Sequence, residues 1–176
     1  FDSEEVFSMR LTPEEVKSEN DTRIVKQLWN LLNECDIVIG HNQNSFDLPR
    51  MKSKFLVAGL PPTTFYHQID TMLVAKKEFG FTYNKLDFLA QKLGLGAKIH
   101  TEFELWARCM RGEEAALQEM ERYNRMDVIL LEKIYLKLRP YIKCHPNVTL
   151  YSTNISMDRC TSCGSDKLTE DGFYYT

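Results

Sequence analysis

Most of this chain repeats its apolar residues with the period of an α-helix. Between Asn20 and Cys35 the apolar positions are Ile24, Leu28, Leu31 and Leu32, one stripe of an amphipathic helix. Spacing, caps and terminating residues predict four further helices, over about 48–58, just after Asp70, over 86–93 behind an Asn84 cap, and over 113–139. The chain is therefore predicted to be rich in helix.

Two segments show the pattern of strands instead. Ile37-Val38-Ile39 is an apolar run before Gly40, which is typical of a strand in a sheet covered on both faces. Phe1 to Leu11 alternates weakly and is interpreted as another strand. Strands among helices predict an α/β fold. Polar residues 41–47 follow the Ile37 run, where open α/β sheets deliver side chains to a ligand.

Length and composition limit the classes of protein that fit. With 176 residues, 43% hydrophobic and 27% charged, the chain has the balance of one globular domain with a small appendage. It has no apolar run of about 18 residues that predicts a membrane span and no recognisable secretion signal, so we expect a cytoplasmic protein without a membrane partner. The net charge of −3 does not favour a non-specific grip on duplex DNA. The net charge does not exclude a local groove that binds a few terminal nucleotides.

Two aspartates stand where an apolar element would otherwise continue. Asp47 follows the loop after the first buried strand, and Asp127 lies on the last helix with Tyr123 one turn before it. Mg²⁺ takes oxygen ligands, which carboxylates from separate elements can supply, and a tyrosine hydroxyl nearby could orient water. Each residue also has an ordinary interpretation: Asp47 as a helix N-cap, Tyr123 as a core tyrosine, and Asp127 as part of a solvated stripe.

Together these segments resemble the DEDD superfamily of 3′ to 5′ exonucleases, in its tyrosine subclass. The second motif of that superfamily is an asparagine, three residues, an aromatic and an aspartate, matched here by Asn42-Gln43-Asn44-Ser45-Phe46-Asp47. The third motif is matched by Tyr123-Asn124-Arg125-Met126-Asp127. From Asp36 to about Pro146 the chain is similar to predicted phage exonucleases with a C-terminal zinc ribbon.

The resemblance implies a ribonuclease-H-like mixed sheet flanked by helices, a two-metal site for Mg²⁺ or Mn²⁺, and single-stranded 3′ ends as substrate. It implies Asp47 and Asp127 as metal ligands, Tyr123 as the water-orienting group, and Asn42 and Phe46 as neighbours of the terminal nucleotide. Phe46 as plain core is the alternative. Single-stranded DNA is the expected partner, RNA stays open, and a replication protein is a further candidate. A phage-encoded chain would act in the host cytoplasm.

Asp70 and three lysines have two interpretations each. Asp70 is either a carboxylate behind the site or, as we favour, the cap of the helix that follows. Lys85, Lys92 and Lys98 either track the phosphate backbone or are ordinary solvated lysines.

The family's first motif, aspartate-x-glutamate, has one candidate here, Asp2-Ser3-Glu4. The interval to Asn20, broken by Thr12-Pro13, has room for about one strand and a loop. We therefore interpret Asp2 and Glu4 as surface charges and expect the N-terminal strands with the first motif to be missing. The chain alone would then have little exonuclease activity and an unpaired sheet edge that favours self-association. The alternative function is an inactive nucleic-acid-binding or replication-partner interaction module.

The composition changes after Lys143. Cys160-Thr161-Ser162-Cys163 has the form of a zinc knuckle, and it is the only tight pair among five cysteines. Cys144 and His145 are candidates for the missing Zn²⁺ ligands, whereas the resemblance implies instead a second Cys-x-x-Cys beyond Thr176. Two reduced cysteines without metal are the alternative. The predicted domains are an exonuclease domain over residues 1–143 and a partial zinc-ribbon tail over residues 144–176.

Overall fold

A computed structural model describes residues 5–97, 102–147, 160, 168–169 and 172. Over these residues the elements are α1 Pro13–Lys17, α2 Thr22–Glu34, β1 Ile37–Gly40, α3 Asp47–Val57, β2 His67–Asp70, α4 Thr71–Glu78, α5 Leu86–Lys92, α6 Phe103–Met110 and α7 Glu114–Leu138. A 3-10 turn, Arg139–Tyr141, follows α7. No helix in these ranges has both the length and the apolar character needed to cross a membrane. The predicted helices are confirmed to within a few residues.

The two strands pair in parallel, with Ile37 opposite His67 and Gly40 opposite Asp70. Their carboxyl ends therefore lie at the same edge, and α3 and α4 begin just beyond it. The α/β class is confirmed. A mixed sheet was predicted, whereas the sheet in the described ranges is two-stranded and parallel. The apolar residues of β1 are half-buried rather than fully covered on both faces.

Two apolar clusters anchor the elements around this sheet. The α7 cluster consists of Ala75, Leu89, Ala90, Leu130, Ile134 and Leu138. The α3 cluster consists of Val25, Leu32, Leu48, Phe55 and Tyr66, and Val38 of β1 packs against it. Leu48 of the α3 cluster comes directly after Asp47, and Leu130 of the α7 cluster lies three residues after Asp127. Each cluster therefore fixes a helix that carries a predicted site residue.

The strand predicted over Phe1 to Leu11 is wrong for its described part. Residues 5–11 contain no strand and instead pass beside α7. There Ser8 donates a hydrogen bond to Glu121, and Arg10 pairs with Glu121 at 3.0 Å and with Glu114. In the part of the chain that the structure describes, this segment is therefore held by side-chain hydrogen bonds and ion pairs to α7 and not by backbone hydrogen bonds to a neighbouring strand. The first-motif candidate Asp2-Ser3-Glu4 lies outside the described residues.

Two helix starts also differ from the prediction. Thr12-Pro13 does not simply break the chain, because Thr12 and Glu15 form a reciprocal capping box that starts α1 with Pro13 in its first position. The cap of α5 is Lys85 rather than Asn84, and no side chain bonds to that helix end. Asn84 Oδ1 is buried and has no hydrogen-bond partner within the described ranges.

Candidate active site

The common carboxyl edge of β1 and β2 is organised by Asp70. Its side chain is 4% exposed, and its carboxylate accepts hydrogen bonds from the backbone N–H of Asn42 at 2.8 Å and of Asn44 at 3.1 Å. It also accepts from Met72 N at 3.0 Å, at the start of α4. The cap interpretation is confirmed. Because charge-assisted bonds are stronger than neutral ones, Asp70 also fixes the loop that leads to Asp47.

The loop takes its shape from a close contact between Gly40 and Gln43. The Gln43 amide is buried and donates to Val38 O at 3.2 Å and to Ile69 O at 3.0 Å, so it bridges the two strands. A Cβ atom at position 40 would overlap the Gln43 side chain. Asn42 then adopts φ 65°, a left-handed conformation that asparagine accepts more readily than most residues.

His41 connects this loop to two other segments. Its Nε2 lies 2.8 Å from Asn84 O, and because a carbonyl only accepts, Nε2 donates that bond. Its Nδ1 lies 2.9 Å from the hydroxyl of Thr71, which in turn donates to Gly40 O at 2.9 Å. The loop after β1, the start of α4 and the segment before α5 are thus held together by one imidazole.

Asp47 is the first residue of α3, and its N-cap interpretation is wrong. The cap is Phe46, and no cap side chain bonds to the helix end. The Asp47 carboxyl is half-buried, and burial raises its pKa above the ordinary value. The nearby negative charge of Asp70 raises this pKa further, whereas the positive charge of Arg50 opposes the rise. Two carboxylates are therefore close enough to influence each other at the strand ends.

Phe46 is not part of the core. Its ring is 49% exposed, so the plain-core interpretation is wrong. The guanidinium carbon of Arg50 lies 4.0 Å from the ring centroid, within the range of a cation–π contact. An exposed aromatic face and an arginine therefore stand next to Asp47.

Tyr123 and Asp127 lie one turn apart on α7, and both are half-buried. Their helix packs against α4, α5 and α6. The structure thus places Asn42, Phe46 and Asp47 with Asp70 at the sheet edge, and Tyr123 with Asp127 on α7. A metal shared by Asp47 and Asp127 stays a prediction.

The predicted zinc site is not assembled by the described residues. No three His, Cys, Asp or Glu side chains in the described ranges come together as a metal site. His145 is buried, with Nε2 2.7 Å from the Tyr135 hydroxyl and Nδ1 2.7 Å from Pro146 O, so both ring nitrogens already have protein partners. Cys144 is exposed and Cys160 is half-buried. Because Cys163 lies outside the described residues, zinc at Cys160 and Cys163 stays a prediction.

Basic side chains lie near this edge, although not mainly the lysines named from the sequence. A groove of about 210 Å³ beside Asp70 is lined by Asn44, Lys77 and Lys143, among others. Lys85 is exposed at the start of α5, whereas Lys92 lies over the Phe88 ring at 5.6 Å. Lys98 lies outside the described residues.

Sequence reasoning missed three contributors to the site: His41, Gln43 and Arg50. The contacts of His41 and Gln43 join residues far apart in sequence, which no local pattern shows. Arg50 had a weak signal, because it follows Phe46 by four residues at the start of a predicted helix, close to the spacing at which helical side chains meet.

Parallel strands that end together at an acidic loop, with helices packed around them, define an α/β protein whose site lies beyond the carboxyl ends of its strands. The family RNase_H_2, described as the RNase_H superfamily, matches residues 1–139, and the chain belongs to this superfamily. Its members are commonly nucleases, so the fold supports a nuclease or nucleic-acid-related activity at the superfamily level. None of the curated proteins compared with the chain matches it.

Proposed function

We propose that this chain carries the site of a DEDD-type 3′ to 5′ exonuclease, related to phage enzymes, that hydrolyses phosphodiester bonds at single-stranded 3′ ends. The observation that supports this most directly is the environment of Asp47. It is a half-buried carboxylate beside a second carboxylate, at the common carboxyl end of two parallel strands. The RNase H superfamily, in which nucleases are common, is the context in which this arrangement is found.

The carboxylate oxygens at this edge are donors of the kind that a hard divalent cation takes, although in the described ranges two acidic side chains rather than three come together there. Burial and the charge of Asp70 make ionisation of Asp47 unfavourable, and a cation would offset that cost with oxygen coordination. In the proposed site Asp47 and Asp127 hold Mg²⁺ or Mn²⁺. When bound, such ions would supply hydroxide from a bound water and charge stabilisation for the leaving oxygen.

The remaining residues bind the terminal nucleotide and orient the attacking water. Tyr123, one turn before Asp127, orients the attacking water with its hydroxyl. The exposed ring of Phe46 offers an apolar surface to the terminal base, because bases stack on aromatic side chains without regard to sequence. Asn42, whose backbone is held by Asp70, lies beside the terminal nucleotide. Single-stranded DNA is the proposed substrate, and RNA is tested beside it.

Metal binding tests the proposal directly. We expect the chain to bind Mn²⁺, and Asp47→Asn and Asp127→Asn each to weaken that binding at least about tenfold, by analogy with metal-site variants. Asp36→Asn is the matched control, because Asp36 is exposed at the opposite end of β1. Glu132→Gln serves the same purpose on α7. Calorimetry that finds the same affinity in Asp47→Asn as in Asp36→Asn would contradict the proposed site.

Activity is measured on 3′-labelled single strands of DNA and RNA, in Mg²⁺ and in Mn²⁺. Any terminal digestion by the chain should disappear in Asp47→Asn and persist in Asp36→Asn. In the complete enzyme, Tyr123→Phe should reduce turnover by about 10²-fold or less while Mn²⁺ binding is kept, because it removes one water-positioning hydroxyl. Because the chain alone is expected to have little exonuclease activity, the same assay is run on a form extended upstream in its reading frame. Strand binding without digestion by either form, in either metal, would instead support the inactive binding module.

A further inference from the structure

The surroundings of Arg50 differ from those of the four arginines that form salt bridges with glutamates in the described part of the chain. These four direct their guanidinium groups at glutamates: Arg10 at Glu114 and Glu121, Arg23 at Glu15, Arg108 at Glu113, and Arg111 at Glu104 and Glu113. Arg50 instead lies over the Phe46 ring at 4.0 Å. Within the described ranges its N–H groups have no hydrogen-bond acceptor and it forms no salt bridge.

The position of Arg50 relates it to Asp47. The two residues are three apart on α3, so their side chains emerge on the same face. Arg50 is exposed. A cationic group is thus held next to the proposed metal ligand without being neutralised by a glutamate.

The contact with Phe46 limits the motion of the guanidinium without using its donors. A guanidinium that lies over an aromatic face is bound through its own face, and its in-plane N–H groups stay available. That planar fork matches the oxygens of a phosphate, to which arginine donates two parallel bonds. Less side-chain freedom then has to be lost when a phosphate arrives.

We propose that Arg50 is a substrate-binding residue that donates to a backbone phosphate of the single strand, next to the phosphate at the proposed metal site. This inference rests on the proposed function, because it assigns a ligand to the same site. Phe46 holds the guanidinium in place, and the pair binds one phosphate in a chain whose overall charge is negative. The contact is independent of sequence, as expected for an enzyme that removes any terminal nucleotide.

The test is the binding of a 5′-fluorescein-labelled octamer of thymidylate, followed by anisotropy at several salt concentrations. Ca²⁺ replaces Mg²⁺, and the oligonucleotide is checked afterwards for intact length. Arg50→Gln should weaken binding about tenfold at low salt, the effect of losing one charged bidentate contact. The slope of log affinity against log salt should become less negative by about 0.7, because one phosphate contact is lost. Arg50→Lys should keep the parent slope and recover part of the affinity.

The matched control is Lys133→Gln, which removes one positive charge from an exposed position on α7. Lys133 lies six residues beyond Asp127, about 240° around the helix, and its loss should leave affinity and slope unchanged. If Arg50→Gln binds like the parent, with the same slope, while Asp47→Asn still loses Mn²⁺, the Arg50 inference is wrong and the proposed function stands. If the parent chain does not bind the octamer, both are wrong.

Thermal unfolding separates a lost phosphate contact from a damaged loop. If Arg50→Gln also lowers the unfolding midpoint, Phe46→Leu distinguishes a lost phosphate contact from a changed loop, because this variant removes the ring and keeps the positive charge of Arg50. A parent-like salt slope in Phe46→Leu supports the phosphate contact. A slope that changes as much as in Arg50→Gln shows that loop shape is responsible and overturns the inference.

Discussion

Asp47 has two properties that oppose each other in a folded protein. Its carboxyl is partly removed from water and lies near the charge of Asp70, so the folded chain disfavours its ionised form. A metal ligand must nevertheless be ionised. At the residue scale, the features that suit Asp47 to bind a cation are therefore expected to cost stability when no cation is bound.

Asp47→Asn should make the metal-free chain more stable at pH 7. An acid whose pKa is raised on folding holds its proton more tightly in the folded state, so the free energy of unfolding decreases as the pH rises above the ordinary value of 3.8. The asparagine variant does not undergo this loss. Its advantage should disappear near pH 3, where the carboxyl is protonated in both states.

Urea denaturation at pH 7 and pH 3 measures this difference, with Asp36→Asn as a control that should show no pH-dependent gain. A variant less stable than the parent at pH 7 would mean that the negative charge of Asp47 stabilises the fold.

Individual residues could be predicted only where the pattern was local. Asn42, Phe46, Asp47, Tyr123 and Asp127 were found through spacing along one segment each. The four backbone N–H groups that meet Asp70 come from two segments separated by nearly thirty residues, so their convergence follows from strand pairing. The sequence could name Asp70 as a cap but not as the group that also holds the loop.

At the scale of elements, α7 divides its length between two tasks. Its middle carries Tyr123 and Asp127, whereas Leu130, Ile134 and Leu138 bind its second half into the α7 cluster. The apolar half fixes the position of the half that carries the proposed site. Packing defects in the cluster should therefore affect the site from a distance.

Ile134→Ala is expected to reduce the free energy of unfolding by about 2–5 kcal/mol, because Ile134 is fully buried and its truncation leaves a cavity. Leu136→Ala on the same helix, at a position that is 47% exposed, should change stability by about 0.5 kcal/mol or less. Chemical denaturation of both variants measures the difference. Equal losses in the two variants would show that the described cluster is not what anchors α7.

Helices were easier to predict than the N-terminal segment for a physical reason. The apolar stripe of α2 results from burial of one face, so it is visible in sequence before the partner is known. The weak alternation of residues 5–11 resembled a strand, but ion pairs to α7 determine where that segment lies. Such pairs join residues more than a hundred positions apart. The capping box of α1 is a local pattern, Thr12-Pro13-Glu14-Glu15, and is visible in the sequence.

At the scale of the whole molecule, one buried contact ties the segment after α7 back to that helix. His145 Nδ1 donates to Pro146 O, so in the neutral ring Nε2 accepts from the Tyr135 hydroxyl. Burial lowers the pKa of His145, and the positive charge of Arg139 adds to this effect. The folded chain thus favours the neutral imidazole.

The free energy of unfolding should consequently decrease as the pH falls below 6.5, the ordinary pKa of the imidazole. In that window the unfolded chain takes up a proton that the folded chain resists, so acid favours unfolding. His145→Gln should flatten the pH dependence between 6.5 and the lowered pKa. Tyr135→Phe keeps the buried imidazole and should therefore retain the pH dependence of the free energy of unfolding. Urea titrations at several pH values make the comparison, and an equal slope in His145→Gln would exclude His145 as its source.

The contact between Gly40 and Gln43 has a consequence for how this region can change over evolution. Gln43 occupies the space that any side chain at position 40 would need, and its amide joins β1 to β2 in the same place. Substitution at position 40 alone produces a steric conflict, whereas a shorter residue at position 43 would relieve it and leave the strand carbonyls without their donor. The two positions are therefore epistatic. Relatives with a larger residue at position 40 should carry a compensating change at position 43 and a different donor between the strands.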